Sequence, residues 1–348
     1  MKPKLILVAL NAIILILASC KSSQTKELHR SSQVKEINPY ISSSFIPAIN
    51  NYGRRCAQEI AFLPPINCLE GEIIPVTVNG KEPKSYPKNL KCDRPSMQDL
   101  KGKADSQCVP YSRVLKLPLQ DPDTIAVAFC RRYKEREKDS PLFDDISIIL
   151  HRKSSGATCF FQSTDDRTKA LDGTRVPPPH ELPIETPLGE EVAAKFWLPP
   201  EKVALRRCHQ CHDSDPFIHS PYISQTSQIP SHPKGAYKIV GKEFSDWPIV
   251  YGVDTKDKNL CTSCHRMGHQ YSCNEYAPYS TGDKPILGQH KGFKSFPKAH
   301  WMPPNPEETS LKQWQERYLR DILQIQSCCK NPDQDFCRVT PITSNIGF

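Results

Sequence analysis

Short β-rich apolar stretches dominate the first half of the chain. Residues 73–78 (IIPVTV) end at Asn79-Gly80, a dipeptide typical of tight turns. Further stretches of this type occupy residues 125–129, 146–150 and 157–161. The last two flank Lys153-Ser154-Ser155-Gly156, so this pattern predicts a β-hairpin.

Two helical signals lie in the second half. Residues 201–208 follow Pro199-Pro200 and predict a short helix. A longer helix is predicted from Pro306 to about Gln326, with Asn305 as its N-cap and acidic residues in its first turn. Its apolar residues recur at helical spacing, at Leu311, Trp314, Tyr318, Ile322 and Ile325. One face of this helix is therefore expected to be buried.

A proline-rich stretch at residues 173–200 separates these two regions. Proline lacks the backbone N–H that helices and sheets use, so this density of prolines predicts a connection between domains. We therefore predict an α+β protein in which a β-rich domain at residues 51–172 precedes a mainly helical or irregular domain at residues 201–348.

The N-terminus carries the pattern of an export signal. Lys2 and Lys4 precede an apolar run at residues 5–17 that is too short for a stable membrane span, which is typical of a signal peptide at residues 1–19. Leu17-Ala18-Ser19-Cys20 resembles the lipobox of bacterial lipoproteins. The resemblance implies cleavage before Cys20 and its acylation; an ordinary signal peptide with a chance cysteine is the alternative.

The segment after Cys20 predicts where the protein is held. Residues 20–50 are rich in serine and predict a flexible tether to the membrane. We expect a lipoprotein of the cell envelope that faces the periplasm or the cell surface. Lys21 favours the outer membrane, because inner-membrane retention in enterobacteria favours aspartate at this position.

Composition points to a thin core that needs covalent support. Among 348 residues there are 33 Pro, 15 Gly and 15 Cys, and only 38% are hydrophobic. This balance excludes a collagen-like or flexible Gly/Ser chain. The net charge is +8, but basic and acidic residues alternate, as in residues 131–137, which indicates a solvated face rather than a nucleic-acid site.

Two short motifs carry the candidate chemistry. Cys208-His209-Gln210-Cys211-His212 and Cys261-Thr262-Ser263-Cys264-His265 both have the form C-x-x-C-H, the attachment pattern of c-type haem. The two thiols of a motif lie on one helical turn and can meet the two vinyl groups at one porphyrin edge, while the histidine binds the iron. Two haem c groups are therefore predicted.

Two other readings of these cysteines remain open. A four-cysteine zinc site expects pairs closer together than residues 212–260 allow, and it leaves both histidines unexplained. A thioredoxin-like redox pair expects one C-x-x-C in a βαβ context that the sequence lacks.

Over residues 200–330 the chain resembles the c-type cytochromes. In Trp301-Met302-Pro303-Pro304, just before the predicted C-terminal helix, Met302 is similar to the distal methionine of class I members. The resemblance implies a cytochrome c-like domain at 201–348, with His212 and His265 as proximal ligands and Met302 as the second axial ligand of the second haem. Met302 as an ordinary core residue is the alternative.

The sixth ligand of the first haem has no methionine candidate. His219 is one possibility, and an empty or water-filled site is another. Other candidates are His232, His269, His290 and His300.

The remaining cysteines predict a disulfide framework. Without Cys20 and the four motif cysteines, ten remain: Cys56, Cys68, Cys92, Cys108, Cys130 and Cys159 before the proline-rich stretch, and Cys273, Cys328, Cys329 and Cys337 after it. Each set is even, so we expect three and two bridges within the sets. We favour different partners for the adjacent Cys328 and Cys329 over a bond between them.

These features predict an envelope-anchored electron-transfer protein that exchanges electrons with redox partner proteins. The alternative is a haem oxidoreductase, peroxidase-like, with an open coordination position at the first haem.

Overall fold

A computed structural model describes residues 48–96, 107–164, 169–181, 193–230, 235–277 and 310–346. The predicted signal peptide, Cys20 and nearly all of the tether lie outside these ranges. No helix among the described residues is long and apolar enough to cross a membrane.

The described chain is a mixture of strands and mostly short helices. The helices are α1 (Ala48–Glu59), α2 (Ala193–Phe196), α3 (Pro200–Ala204), α4 (Leu260–Cys264) and α5 (Leu311–Lys330). The strands are β1 (Glu72–Ile73), β2 (Arg113–Lys116), β3 (Thr124–Arg131), β4 (Leu142–Phe143), β5 (Asp145–Arg152), β6 (Ala157–Gln162), β7 (Leu171–Asp172), β8 (Tyr237–Val240), β9 (Tyr251–Thr255), β10 (Met267–Gly268), β11 (Cys337–Pro341) and β12 (Thr343–Ile346).

A seven-stranded sheet in the order β1-β2-β3-β5-β6-β8-β12 forms the centre of the fold. Its first five strands pair antiparallel, whereas β8 pairs parallel with β6 and β12 pairs parallel with β8. Two smaller sheets have the orders β10-β9-β11 and β4-β7. The predicted mixture of helices and β-sheet is confirmed.

The predicted hairpin is confirmed, and the geometry of its turn requires glycine at position 156. Leu150 pairs with Cys159 and His151 with Thr158, across the turn at residues 153–156. Gly156 has φ +79°, and a Cβ at this position would lie 2.4 Å from the carbonyl carbon of Ala236. Only glycine adopts this positive φ and also allows the close approach of Ala236 without strain.

The stretch at 73–78 is mostly not a strand. Only Glu72–Ile73 pairs, with β2, while Asn79 and Gly80 adopt positive φ between the bridged residues Val78 and Lys81. Pro75 interrupts the ladder because it has no N–H to donate.

The C-terminal helix begins later than predicted. Its N-cap is Ser310 rather than Asn305, and Ser310 and Gln313 form a reciprocal capping box. Trp314, Ile322 and Ile325 are buried, so the prediction of one buried face is confirmed.

The predicted domain boundary differs from what the structure shows. The β8 and β12 strands follow the proline-rich stretch, yet they extend the sheet of the first half. The stretch itself packs on that half, since the carbonyl of Val176 accepts from the N–H of Ile66 and the carbonyl of Pro179 from the side chain of Asn50. Residues 44–348 accordingly form one compact unit.

The disulfide predictions are confirmed in the described chain. The bridges are Cys56–Cys159, Cys68–Cys130, Cys92–Cys108, Cys273–Cys329 and Cys328–Cys337. All pair within the two predicted sets, and Cys328 and Cys329 have different partners. Described cysteines that remain as thiols are Cys208, Cys211, Cys261 and Cys264.

Alternate residues of the central sheet enter two separate hydrophobic clusters. Ala128 and Ile148 belong to the cluster that includes α1. Val127 packs with Phe217 and Tyr222 on the other face, and Ile149 contacts both clusters. Strand side chains alternate between faces, so the second face is covered by the segment that follows the first C-x-x-C-H motif.

Candidate functional site

The first motif is a single tight turn after α3. Arg207 takes a left-handed conformation, with φ 53°, and the 3₁₀ turn Cys208–Gln210 follows. The carbonyl of Cys208 then accepts from the N–H of Cys211 at 3.2 Å and from that of His212 at 2.8 Å. Cys208, Cys211 and His212 therefore belong to one hydrogen-bonded turn.

The imidazole of His212 is held in one tautomer. Its Nδ1 lies 2.8 Å from the carbonyl oxygen of Pro216, which can only accept, so Nδ1 carries the proton and Nε2 carries the lone pair. Burial lowers the pKa of His212 to about 4, so the ring is neutral at pH 7. A neutral imidazole whose Nδ1–H is fixed by a carbonyl is the usual state of a metal-binding histidine.

The thiol of Cys208 is protonated at neutral pH. Burial raises its pKa to about 12, and the neighbouring Cys211 also raises it. Reactive redox cysteines have lowered pKa values, so this environment disfavours the thioredoxin-like reading. The side chains of both cysteines nevertheless retain some exposed surface.

The second motif occupies helix α4 and is attached to helix α5. The buried side chain of Asn259 caps α4 by accepting from the N–H groups of Cys261 and Thr262. Asn259 also donates to the carbonyl of Asp321 at 2.9 Å, and the Asp321 carboxylate accepts from the N–H of Leu260. The N–H of His265 bonds to the carbonyl of Cys261 at 2.8 Å, which closes the turn.

The segments that follow the two motifs are bound to each other through Asp213. This buried carboxylate, next to His212, accepts from the N–H groups of Gln270 and Ser272 and from the hydroxyl of Ser272. Gly268 makes this approach possible, because a Cβ there would lie 2.3 Å from the Asp213 carboxyl carbon. Burial raises the pKa of Asp213 to about 6, although the hydrogen bonds oppose that shift.

Arg266 makes the second link between the two segments. Its guanidinium donates to the carbonyls of Ser214 and Gly235 at 2.5 and 2.7 Å and pairs with the buried carboxylate of Asp215 at 2.7 Å. The sequence analysis missed Asp213, Arg266 and Gly268. No motif marks them, since their roles depend on contacts between residues far apart in the chain.

The cysteine thiols of the two motifs do not gather into one site. Among the described residues, no three His, Cys, Asp or Glu side chains are placed to share a metal ion. A four-cysteine zinc site needs all four thiolates at one centre. The arrangement therefore disfavours the zinc reading.

The predicted axial ligands divide into two groups. Met302, His232, His290 and His300 lie outside the described residues. His219 is described, and its Nε2 lies 3.0 Å from the carbonyl of Pro230, to which it donates. The Nδ1 of His269 accepts from the N–H of Tyr251 at 2.9 Å, which leaves the proton of a neutral ring on Nε2. In both rings a proton therefore occupies Nε2.

No known protein family, curated protein or solved structure matches this chain.

Proposed function

We propose that this protein is a dihaem c-type cytochrome that transfers single electrons. One haem would be bound through Cys208 and Cys211, and the other through Cys261 and Cys264. When bound, each haem supplies an iron that alternates between the ferric and ferrous states. His212 would hold the first iron and His265 the second.

The observation that carries this proposal is the hydrogen bond from Nδ1 of His212 to the carbonyl of Pro216. It fixes the tautomer that iron binding requires, in the residue that directly follows Cys211 in the chain. The ring edge of Phe160 lies against His212, with centroids 5.5 Å apart, and restrains its orientation. Residues of the chain thus orient the imidazole before any haem is bound.

The links between the two motifs support electron exchange within the molecule. Asp213 and Arg266 tie the residue after His212 to the residues after His265, so the two attachment turns belong to one packed unit. Both haems would then be held in one rigid frame, which keeps the reorganisation of the protein small when an electron moves.

The same proposal extends to the location of the protein. Cys20 would be acylated after cleavage of the signal peptide, and the tether would hold the folded unit near a membrane of the envelope, with the outer membrane favoured. Five disulfides suit an oxidising compartment. Redox proteins of that compartment would be the partners.

Removal of either cysteine pair tests the attachment. The full chain is produced with the haem-attachment machinery of a bacterial host, and covalent haem is counted by mass and by absorbance after denaturation. We expect two haems in the wild type. The Cys208→Ser/Cys211→Ser and Cys261→Ser/Cys264→Ser variants are each expected to retain one.

A disulfide variant is the matched control. Cys92→Ser/Cys108→Ser also removes two cysteines, but it should retain both haems. If the motif variants carried as much covalent haem as this control, attachment through the motifs would be refuted.

A further inference from the structure

A histidine far from either motif lies buried in the central sheet. His151 belongs to β5, and its side chain has no exposed surface. It faces the same side of the sheet as Ile149, two residues earlier, and as Thr158, its direct partner in β6. Since that side carries the segment following the first motif, His151 borders the first site.

One ring nitrogen of His151 is satisfied and the other is not. The hydroxyl of Thr158 donates to the carbonyl of Gly156 at 2.9 Å and therefore accepts from Nδ1–H of His151, also at 2.9 Å. The lone pair is then on Nε2. Within the described residues this buried atom has no hydrogen-bond partner, an arrangement that destabilises the fold unless something binds the atom.

His151 and His212 each contact a phenylalanine ring on this side of the sheet. The ring of Phe217 stands edge-on to His151 with centroids 6.1 Å apart, and Phe217 directly follows Pro216, the acceptor for His212. Phe160, which touches His212, pairs with Ile149 and so shares a face with His151. The two imidazoles therefore border the same covered region of the sheet.

The two histidines also share a chemical state. In both, Nδ1 is protonated and donates to an oxygen, and in both the lone pair is on Nε2. His219 and His269 differ, because their Nε2 atoms carry the proton.

We infer that His151 is the sixth ligand of the haem attached at the first motif, with Nε2 bound to the iron opposite His212. The inference rests on the proposed function and deepens it. It gives the orphaned Nε2 a partner and brings the ligand from the first half of the chain. A haem with two histidine ligands has no open position, so the first site would carry electrons and would not bind peroxide.

The test removes the ligand and follows the spin state of the iron. In the oxidised wild type with two haems, we expect the first haem to be low-spin and six-coordinate by electron paramagnetic resonance. His151→Ala should convert one of the two haems to high-spin and allow the reduced protein to bind one additional carbon monoxide. Added imidazole should restore the low-spin signal.

Matched variants separate ligation from packing. His219→Ala and His269→Ala should leave the spin states unchanged. His151→Met keeps a ligand at the same position, and it should give the first haem the charge-transfer band of an iron–thioether bond. If His151→Ala does not fold, the spectrum of His151→Met shows whether residue 151 binds the iron.

Two outcomes would overturn different claims. Two covalent haems with the same low-spin signals in His151→Met as in the wild type would overturn the assignment of His151 alone, as would loss of the low-spin signal in His219→Ala. A wild type without covalent haem would overturn the proposed function itself.

Discussion

Two buried charged side chains, Asp213 and Arg266, connect the segments that follow the two motifs. Asp213 receives three hydrogen bonds from residues 270–272, and Arg266 donates to the segment 214–215. Such contacts are directional, so they fix relative position more precisely than apolar packing does. Asp213 directly follows His212 in the chain, and Arg266 directly follows His265. The residues that link the two segments are therefore neighbours of the proposed iron ligands.

Loss of the Arg266 guanidinium should destabilise the protein strongly. Arg266→Ala removes the charge that neutralises the buried Asp215, and breaking such a pair costs about 3–5 kcal/mol. The free energy of unfolding is measured by denaturant titration. Arg338→Ala is the control, because its pair with Asp254 is largely exposed and worth about 1 kcal/mol or less. Equal losses in the two variants would contradict the linking role of Arg266.

Asp144 should make stability fall in acid. Burial alone would raise its pKa, but hydrogen bonds from Arg136 and from the N–H of Tyr133 lower it below the ordinary 3.8. A lowered folded-state pKa stabilises the protein above pH 3.8, and this contribution disappears as the pH falls through the folded-state value.

The variant Asp144→Asn isolates this contribution. At pH 7 we expect it to be about 1.5–3 kcal/mol less stable than the wild type, since it loses a charged hydrogen-bonded pair. The difference should begin to shrink as the pH falls below about 3.8 and should disappear as it passes through the lower folded-state pKa, where the wild-type carboxyl is protonated too. A difference that stayed constant down to pH 2 would argue against this ionisation.

At the scale of elements, disulfides hold the helices to the sheets. Cys56–Cys159 joins α1 to β6, and Cys328–Cys337 joins the end of α5 to β11. Helix α1 has only 12 residues, and isolated helices of that length are marginal in water. Covalent bridges therefore replace part of the stability that a larger core would provide.

The loss in the free energy of unfolding when a disulfide is removed should depend on the length of the loop that the disulfide closes. Cys56 and Cys159 are 103 residues apart, whereas Cys92 and Cys108 are 16 apart. Loop-closure entropy predicts losses of about 5 and about 3 kcal/mol for the two Cys→Ser pairs. Thermal unfolding of both variants under the same conditions measures the difference, and a greater loss for the short loop would contradict this account.

At the scale of the whole molecule, local signals predicted local structure. The β5–β6 hairpin follows from alternating apolar residues around a glycine turn, and the disulfide sets follow from the even numbers on each side of residues 173–200. The hairpin depends on residues that are near each other in the chain, and the disulfide sets depend only on the number of cysteines on each side. The C-x-x-C-H motifs are likewise contiguous, so their turns were predictable.

Long-range pairing was not predictable in the same way. The parallel pairing of β8 with β6 crosses the proline-rich stretch, and no residue in either strand encodes that partner. The close approach of Gly268 to Asp213 likewise joins residues far apart in the chain. The two halves therefore look separate in sequence although they fold as one unit.

The central claim is that two haems are bound covalently through the C-x-x-C-H motifs. The most direct measurement is the intact mass of the purified, denatured full-length protein, together with its reduced visible spectrum, after production with haem-attachment machinery. The account predicts a mass increase of two haem groups and the α-band of c-type haem. A colourless protein with the mass of the polypeptide, five disulfides and four unmodified motif thiols would contradict it.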